Sequence, residues 1–505
     1  MKILVRTTYL FVTLVYLAGA SLPLAAQDYA EVVRADQATR NPNITEARRL
    51  LGNVQLRYRG ADMFCDSAYI YDNEDFEAFG PLRVVQGDSV QLRGGYLFAE
   101  RDQQLVTLEE NIFFSDKDLS LQTEALTYNL ETGIARYLTG ATITSQENNN
   151  RLSSRAGYYD AESEFFHFQK DVVLRNPKYT VYSDTLKYSG ASETAYFHGP
   201  TRIVADDAFI LCTRGWYNTR TDQCQFSEGA TIRNGSTVLQ GDSVFYNAAT
   251  GYGELFCDIS IRDTTGNYIV SGDYGWLDEA SGKSLVTERA LMTQIFDGDS
   301  LFLRADTLLN LPDSAGNNRI RAYHDVRIFK TDLQGVCDSL IFEEHLERLT
   351  LLKDPVMWSE KSQISGDTLI LTLQDNALHR LEVLRNAMIV SEVDSIAYNQ
   401  IAGRGLYGYF EENQLVRMDV NGNGRVVYYP ESADPNAPPV GLNRSDCSNL
   451  RIFFEDNQIR RIALLQQVGG AFHPLSQAPE TDRSLPGFQW LQYRRPLSFD
   501  HLFDF

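Results

Sequence analysis

Three observations in the sequence predict an all-β fold built from repeats. First, a seven-residue cassette recurs along most of the 505-residue chain. It reads CDSAYIY at 65–71, GGYLFAE at 94–100, TEALTYN at 123–129, SRAGYYD at 154–160, SDTLKYS at 183–189, TRGWYNT at 213–219 and GDSVFYN at 241–247, and continues through GDYGWLD, ADTLLNL, CDSLIFE and GDTLILT to GRGLYGY at 403–409. The spacing runs from 28 to 37 residues, most often 29. A period in this range marks an array in which each unit buries its apolar face only against its neighbours. Second, apolar and polar residues alternate within each copy, as Leu119, Leu121, Leu126 and Tyr128 do in LSLQTEALTYN, which is the pattern of half-buried strands. Third, turn formers separate the strands, as in NLETG at 129–133 and SGASETAYFHG at 189–199. Strands of about five to seven residues with turns every eight to twelve predict about twelve units of some thirty residues.

The chain divides in order. Lys2 and Arg6 precede an apolar run from Tyr9 to Ala20, with small residues at Ala25 and Ala26 before Gln27-Asp28. This is the pattern of an export signal cleaved near Ala26, giving a segment 1–26. The alternative is a membrane anchor, for which the apolar run is short. A lead segment follows at 27–50, with a short helical turn expected in TRNPNITEARRL at 39–50. Cassette repeats fill 51–393. Variant repeats at 394–475 serve as a cap, with FEENQ echoed by FEDNQ and a Pro-rich loop at 431–446. Residues 476–505 form a loosely packed tail. Its last residues, LSFDHLFDF, alternate as a terminal barrel strand would. The short charged strands elsewhere oppose a membrane barrel, leaving a peripheral strand or a disordered peptide.

Composition narrows the function. With 46 basic against 67 acidic residues the net charge is −21, the wrong sign for nucleic acid, whose binding is dominated by Lys and Arg on phosphates. No catalytic constellation stands out. The seven histidines have neither HExxH spacing nor partner cysteines at metal-site intervals, and no GxSxG elbow is present. No cofactor is expected. GRGLYG at 403–408 and NGNG at 421–424 lack a following helix, so they read as turns or bulges rather than phosphate loops. None of the six cysteines forms a CxxC pair. Cys212 and Cys224 lie symmetrically about Asn218, where a hairpin turn is expected. They can face each other and form a disulfide, or stay as buried thiols.

GNVQLRYRGADMFCDSAYIYDNEDFEAFGPLRVVQGDSV at 52–90 resembles the OstA-like domain shared by LptA and the periplasmic part of LptD. Its marks are a Gly-x-Val opening, an Asp-x-Ala-x-Tyr strand and an Ala-x-Gly step. YNQIAGRGLYGYFEENQLVRMDVNGNGRVVYYP at 398–430 and LNRSDCSNLRIFFEDNQIRRI at 442–462 resemble the long OstA-like proteins of Bacteroidetes-type bacteria. The resemblance implies an elongated open β-jellyroll in the periplasm, associated with the outer membrane. It implies a non-enzymatic protein that holds the acyl chains of lipopolysaccharide between two sheets. Its partners would be other Lpt-type jellyroll proteins, joined end to end by strand pairing, and an outer-membrane LptD-type translocon. On that reading the inner-face residues Leu126, Tyr128, Leu186, Tyr188, Val244 and Tyr246 contact acyl chains; on the bland reading they only fill a core. Two other functions fit the period: a secreted parallel β-helix that degrades polysaccharide, and a structural surface or adhesion array.

Overall fold

The computed structural model describes residues 29–40, 46–86, 90–116, 119–145, 149–206, 208–265, 267–296, 298–374, 377–411, 414–430, 439–455 and 458–504. The export-signal segment 1–26 lies outside them, as do residues 431–438 of the Pro-rich loop, whose end is instead the start of the strand Gly441–Glu455. Among the described residues no helix is long and apolar enough to cross a membrane. The chain forms two compact units, residues 1–253 and 254–505.

Every described strand pairing is antiparallel, which confirms the all-β class and overturns the parallel β-helix. The strands are longer than expected, and each has a break where the sequence showed a Gly or polar interruption. Phe165–Asn176 has 12 residues and Tyr179–Ser189 has 11; their pairing register shifts between Gln169 and Val172. Two expected short strands are thus the halves of one bent strand. At the bend of every second strand, residues adopt left-handed backbone, often two in succession: Glu110–Asn111, Lys170–Asp171, His324–Asp325, Lys353–Asp354 and Arg385–Asn386. Such bulges add twist and turn a strand sharply, so the two halves join two facing sheets, as in a jellyroll.

The cassette strand carries matching chemistry. Its first residue is small, Gly, Ala, Ser, Thr or Cys, and in four copies a buried side chain there donates to the carbonyl two residues on: Thr123 Oγ1 to Ala125 at 3.1 Å, Ser154 Oγ to Ala156 at 3.1 Å, Ser183 Oγ to Thr185 at 3.1 Å and Cys337 Sγ to Ser339 at 3.3 Å. A carbonyl that the bend removes from the ladder is thereby satisfied. In five copies its last residue is an Asn or Asp whose side chain caps the hairpin turn. Asn129, Asp160, Asn218, Asn247 and Asp278 each accept from the backbone N–H two residues on, at 3.0 Å, an Asx turn.

This geometry makes two corrections. The cassette read at 213–219 is one residue out of frame: Cys212 occupies the small corner position and Asn218 the turn cap, so the unit is 212–218, and the anchor spacing on either side becomes 29. The hairpin turn is therefore centred beyond Asn218, and Cys224 pairs with Tyr217 while Cys212 pairs with Thr201. Cys212 and Cys224 do not face each other across the hairpin, and both are free thiols. The helical turn expected over 39–50 is replaced by the strand Gln37–Arg40 and the start of Arg48–Tyr58, with 41–45 outside the described residues. NGNG is a bend, with Gly422 and Asn423 in left-handed backbone.

Burial pushes the Cys212, Cys224 and Cys337 thiols up to about 12, so the thiolate that reacts is scarce at neutral pH. Cys257 is the exposed cysteine at a bend. Brief iodoacetamide treatment of the native protein should alkylate Cys257 and spare those three, as read by peptide mass spectrometry. A Cys212–Cys224 disulfide would instead leave that pair blocked after denaturation.

Candidate functional site

The inner faces of the two sheets are the candidate site, because the bends turn the apolar residues of both halves toward each other. Bends and pleat together determine which residues point inward. In the strand Tyr179–Ser189, Tyr179, Val181 and Ser183 are buried before the bend and Leu186 and Tyr188 after it, while Tyr182 and Lys187 face outward. Strand pairing aligns such positions into rows that cross the strands. One row of unit 1 runs Tyr137–Gly157–Phe168–Leu186–Phe197–Gly215–Phe226–Val244. The neighbouring row runs Tyr128–Ala135–Tyr159–Phe166–Tyr188–Ala195–Tyr217–Cys224–Tyr246. In the facing sheet, Val181, Ile203, Ile210 and Ile232 form a row. Unit 2 has an aliphatic counterpart: Leu340–Leu351–Leu369–Val383–Leu406–Val420–Leu450.

All six residues singled out from the sequence fall on these inner faces. Leu186, Tyr188, Val244 and Tyr246 are buried, and Leu126 and Tyr128 are half-buried, with Leu126 packed on the core cluster around Leu97 and Leu108. Size alternates along a row. Gly215 sits between Phe197 and Phe226, and a Cβ there would meet the Phe226 ring and the Gln225 carbonyl oxygen at 2.8 Å. Burial pushes the Tyr188 phenol up to about 12, and the row holds no acidic or basic side chain. Phe226 has no exposed surface and Leu186 only 2%, so this interior is closed and filled by its own side chains. A concavity of about 620 Å³ lies elsewhere: it includes Tyr182, Arg202 and Leu211 and opens on the outer side, beside the bends. The described residues contain no group of three side chains suited to a metal.

The sequence reading missed a second apolar layer. In unit 2 the half-strands of one sheet lose their alternation: Gln334 to Cys337, ahead of the bend in its strand, and Ala387 to Val390, beyond the bend in its own, are buried without a break. Their outer face is covered by the segment 475–504, read from the sequence as a loosely packed tail. Leu485, Phe488 and Trp490 pack with Val390, Val427 and Leu442, and Leu491 packs with Val336, Val356 and Trp358. The final LSFDHLFDF is no strand; it makes a single turn of 3-10 helix at Asp500–Leu502. Three buried glutamines bind the segment, and their spacing was the available signal: Gln334, Gln363 and Gln400 each stand three residues before a cassette.

Known proteins share parts of this chain's sequence and architecture. Residues 27–184 match the family model of OstA-like proteins. No curated protein matches the chain in sequence. Solved structures that match include LptH from Pseudomonas aeruginosa, described as the LptA-homologous periplasmic component of the lipopolysaccharide transport device. It shares 10% identity over 28% of this chain and 95% of that one, with a TM-score of 0.22.

Two substitutions test the packing of the rows. Phe226→Ala should destabilise the protein by about 3–5 kcal/mol through the cavity it leaves. Gly215→Val should cost about 1–3 kcal/mol through overpacking. Urea unfolding followed by circular dichroism reads both; a loss below about 0.5 kcal/mol for either would contradict a close-packed row.

Proposed function

We propose that this chain is a non-enzymatic periplasmic carrier that shields the acyl chains of lipopolysaccharide between its two sheets during transport to, and assembly in, the outer membrane. The observation that carries this reading is the set of uncharged apolar rows running across successive strands, within and beyond the OstA-like segment 27–184. A row perpendicular to the strands offers a continuous path for an alkyl chain, with the saccharide left in water at the sheet margins.

Energetics permit it without positive charge. Each buried methylene contributes about 0.8 kcal/mol, so a chain of about a dozen contributes roughly 10 kcal/mol toward parting the sheets. The inner side chains then exchange contacts with one another for contacts with lipid, and the long bent strands are the hinges. The strands Glu31–Arg34 and Gln37–Arg40 pair with Arg48–Tyr58 and are largely exposed. Their other edges suit strand addition by a jellyroll partner, and an LptD-type translocon is the partner at the outer membrane. The closed interior also supports a second reading, a structural array that binds no lipid.

Photocrosslinking separates the two. A photoreactive residue at Leu186, Tyr188, Val244 or Tyr246 should yield lipopolysaccharide adducts in living cells, and one at the outward Lys187 or Phe245 should not. Absence of adducts at all six positions, in a folded and exported protein, would sink the carrier reading and leave the structural array.

A further inference from the structure

The segment 475–504 is held by chemistry that recognises polypeptide. Gln400 donates through Nε2 to the Arg483 carbonyl at 2.8 Å and accepts from the Leu485 N–H at 2.7 Å. Gln363 repeats the arrangement, donating to the Gln489 carbonyl at 2.9 Å and accepting from the Leu491 N–H at 2.7 Å. In each case the carbonyl and N–H flank one residue, so a single glutamine amide satisfies both backbone groups around it. Gln334 accepts from Nε of Arg495 at 2.8 Å, and Arg495 also donates to the Glu360 carbonyl at 2.8 Å.

These glutamines lie in one row that alternates with apolar residues, Gln334–Trp358–Gln363–Val390–Gln400–Val427. Gln334 is 3% exposed, Gln363 and Gln400 1%. The row is on the outer face, since the adjacent Cys337 and Gly403 mark the inward corner positions. The segment crosses the strands in reverse chain order, from Gln400 through Gln363 to Gln334, and its Phe499 ring meets Phe302 at 4.9 Å. Arg327 adds a hydrogen bond to the His501 carbonyl at 2.9 Å.

We propose that the outer face of unit 2 is a binding site for a polypeptide segment, occupied by the chain's own residues 483–499, and that this occupant ties the strands beneath it so that the sheets of unit 2 stay closed. The second half rests on the carrier reading: acyl chains then enter between the sheets of unit 1, where the corresponding outer face exposes Tyr182, Val204 and Leu211. An alkyl chain could not replace the segment, because it has no group to satisfy the buried amides.

Hydrogen exchange on the full chain tests the site. The Leu485 and Leu491 amides should exchange at least tenfold slower than the exposed amides of the same segment. Gln400→Leu should release Leu485 and Gln363→Leu should release Leu491, each by at least tenfold, with unit 1 unchanged. Fast exchange at both amides in the unaltered protein would overturn the site. Lipopolysaccharide crosslinking from Val244 in unit 1 and Leu406 in unit 2 tests the tie. Adducts at Val244 alone, with Leu406 adducts appearing in the Gln363→Leu, Gln400→Leu double variant, are expected. Equal adducts at both in the unaltered protein would overturn the tie. Adducts at neither would sink the carrier reading while the exchange result still decides the polypeptide site.

Discussion

The bend in every second strand is the constraint on which the rest depends. Left-handed backbone is unfavourable for residues other than glycine, yet Lys170–Asp171, His324–Asp325 and Arg385–Asn386 adopt it in pairs. The return is that one strand supplies two facing sheets, and each added repeat lengthens the apolar interior. The cassette strand beside each bend shows the accommodation: a small residue at the corner, with a side-chain donor in the Thr, Ser and Cys copies, and an Asx cap at the turn in the copies that end in Asn or Asp. Thr123, Ser183 and Cys337 occupy that corner interchangeably, which explains why cysteines occur here without forming disulfides.

On the proposed carrier reading, an interior of this kind holds its capacity for lipid as packing. The inner rows are closed to water, so affinity for an alkyl chain depends on how far packing against lipid outweighs the packing of the side chains on one another. Area burial favours that exchange only if the two halves of each strand can part at the bend. The two units differ in this respect. The strands of unit 1 before the bends are covered on one face, as the alternating burial of Tyr179–Ser183 shows. Half-strands of unit 2, such as Gln334 to Cys337 and Ala387 to Val390, are covered on both. A second buried face is thus added to part of one repeated sequence by a segment outside the repeat.

Much of this was legible in the sequence because it is local. The cassette, its turn-capping Asn or Asp, and the inward positions of Leu186, Tyr188, Val244 and Tyr246 follow from alternation and turn chemistry. What alternation cannot show is a change of face inside a strand. The bends shift the pleat, so alternation yields five-residue strands where eleven-residue bent strands exist. The frame at 213–219 slips by one because Trp216 and Tyr217 are both aromatic, although only Tyr217 faces inward. The Cys212–Cys224 symmetry about Asn218 fails because Asn218 begins the turn rather than centring it. The docking of 475–504 is long-range, and only the spacing of Gln334, Gln363 and Gln400 hints at it.

The most direct test of the central claim is the lipid content of the exported protein purified without detergent, by native mass spectrometry with analysis of released fatty acids. Bound lipopolysaccharide is expected, lost when Leu186 and Val244 are replaced by Asp in a protein that remains folded. A folded, exported protein that is free of lipid, including after incubation with lipopolysaccharide, would contradict it.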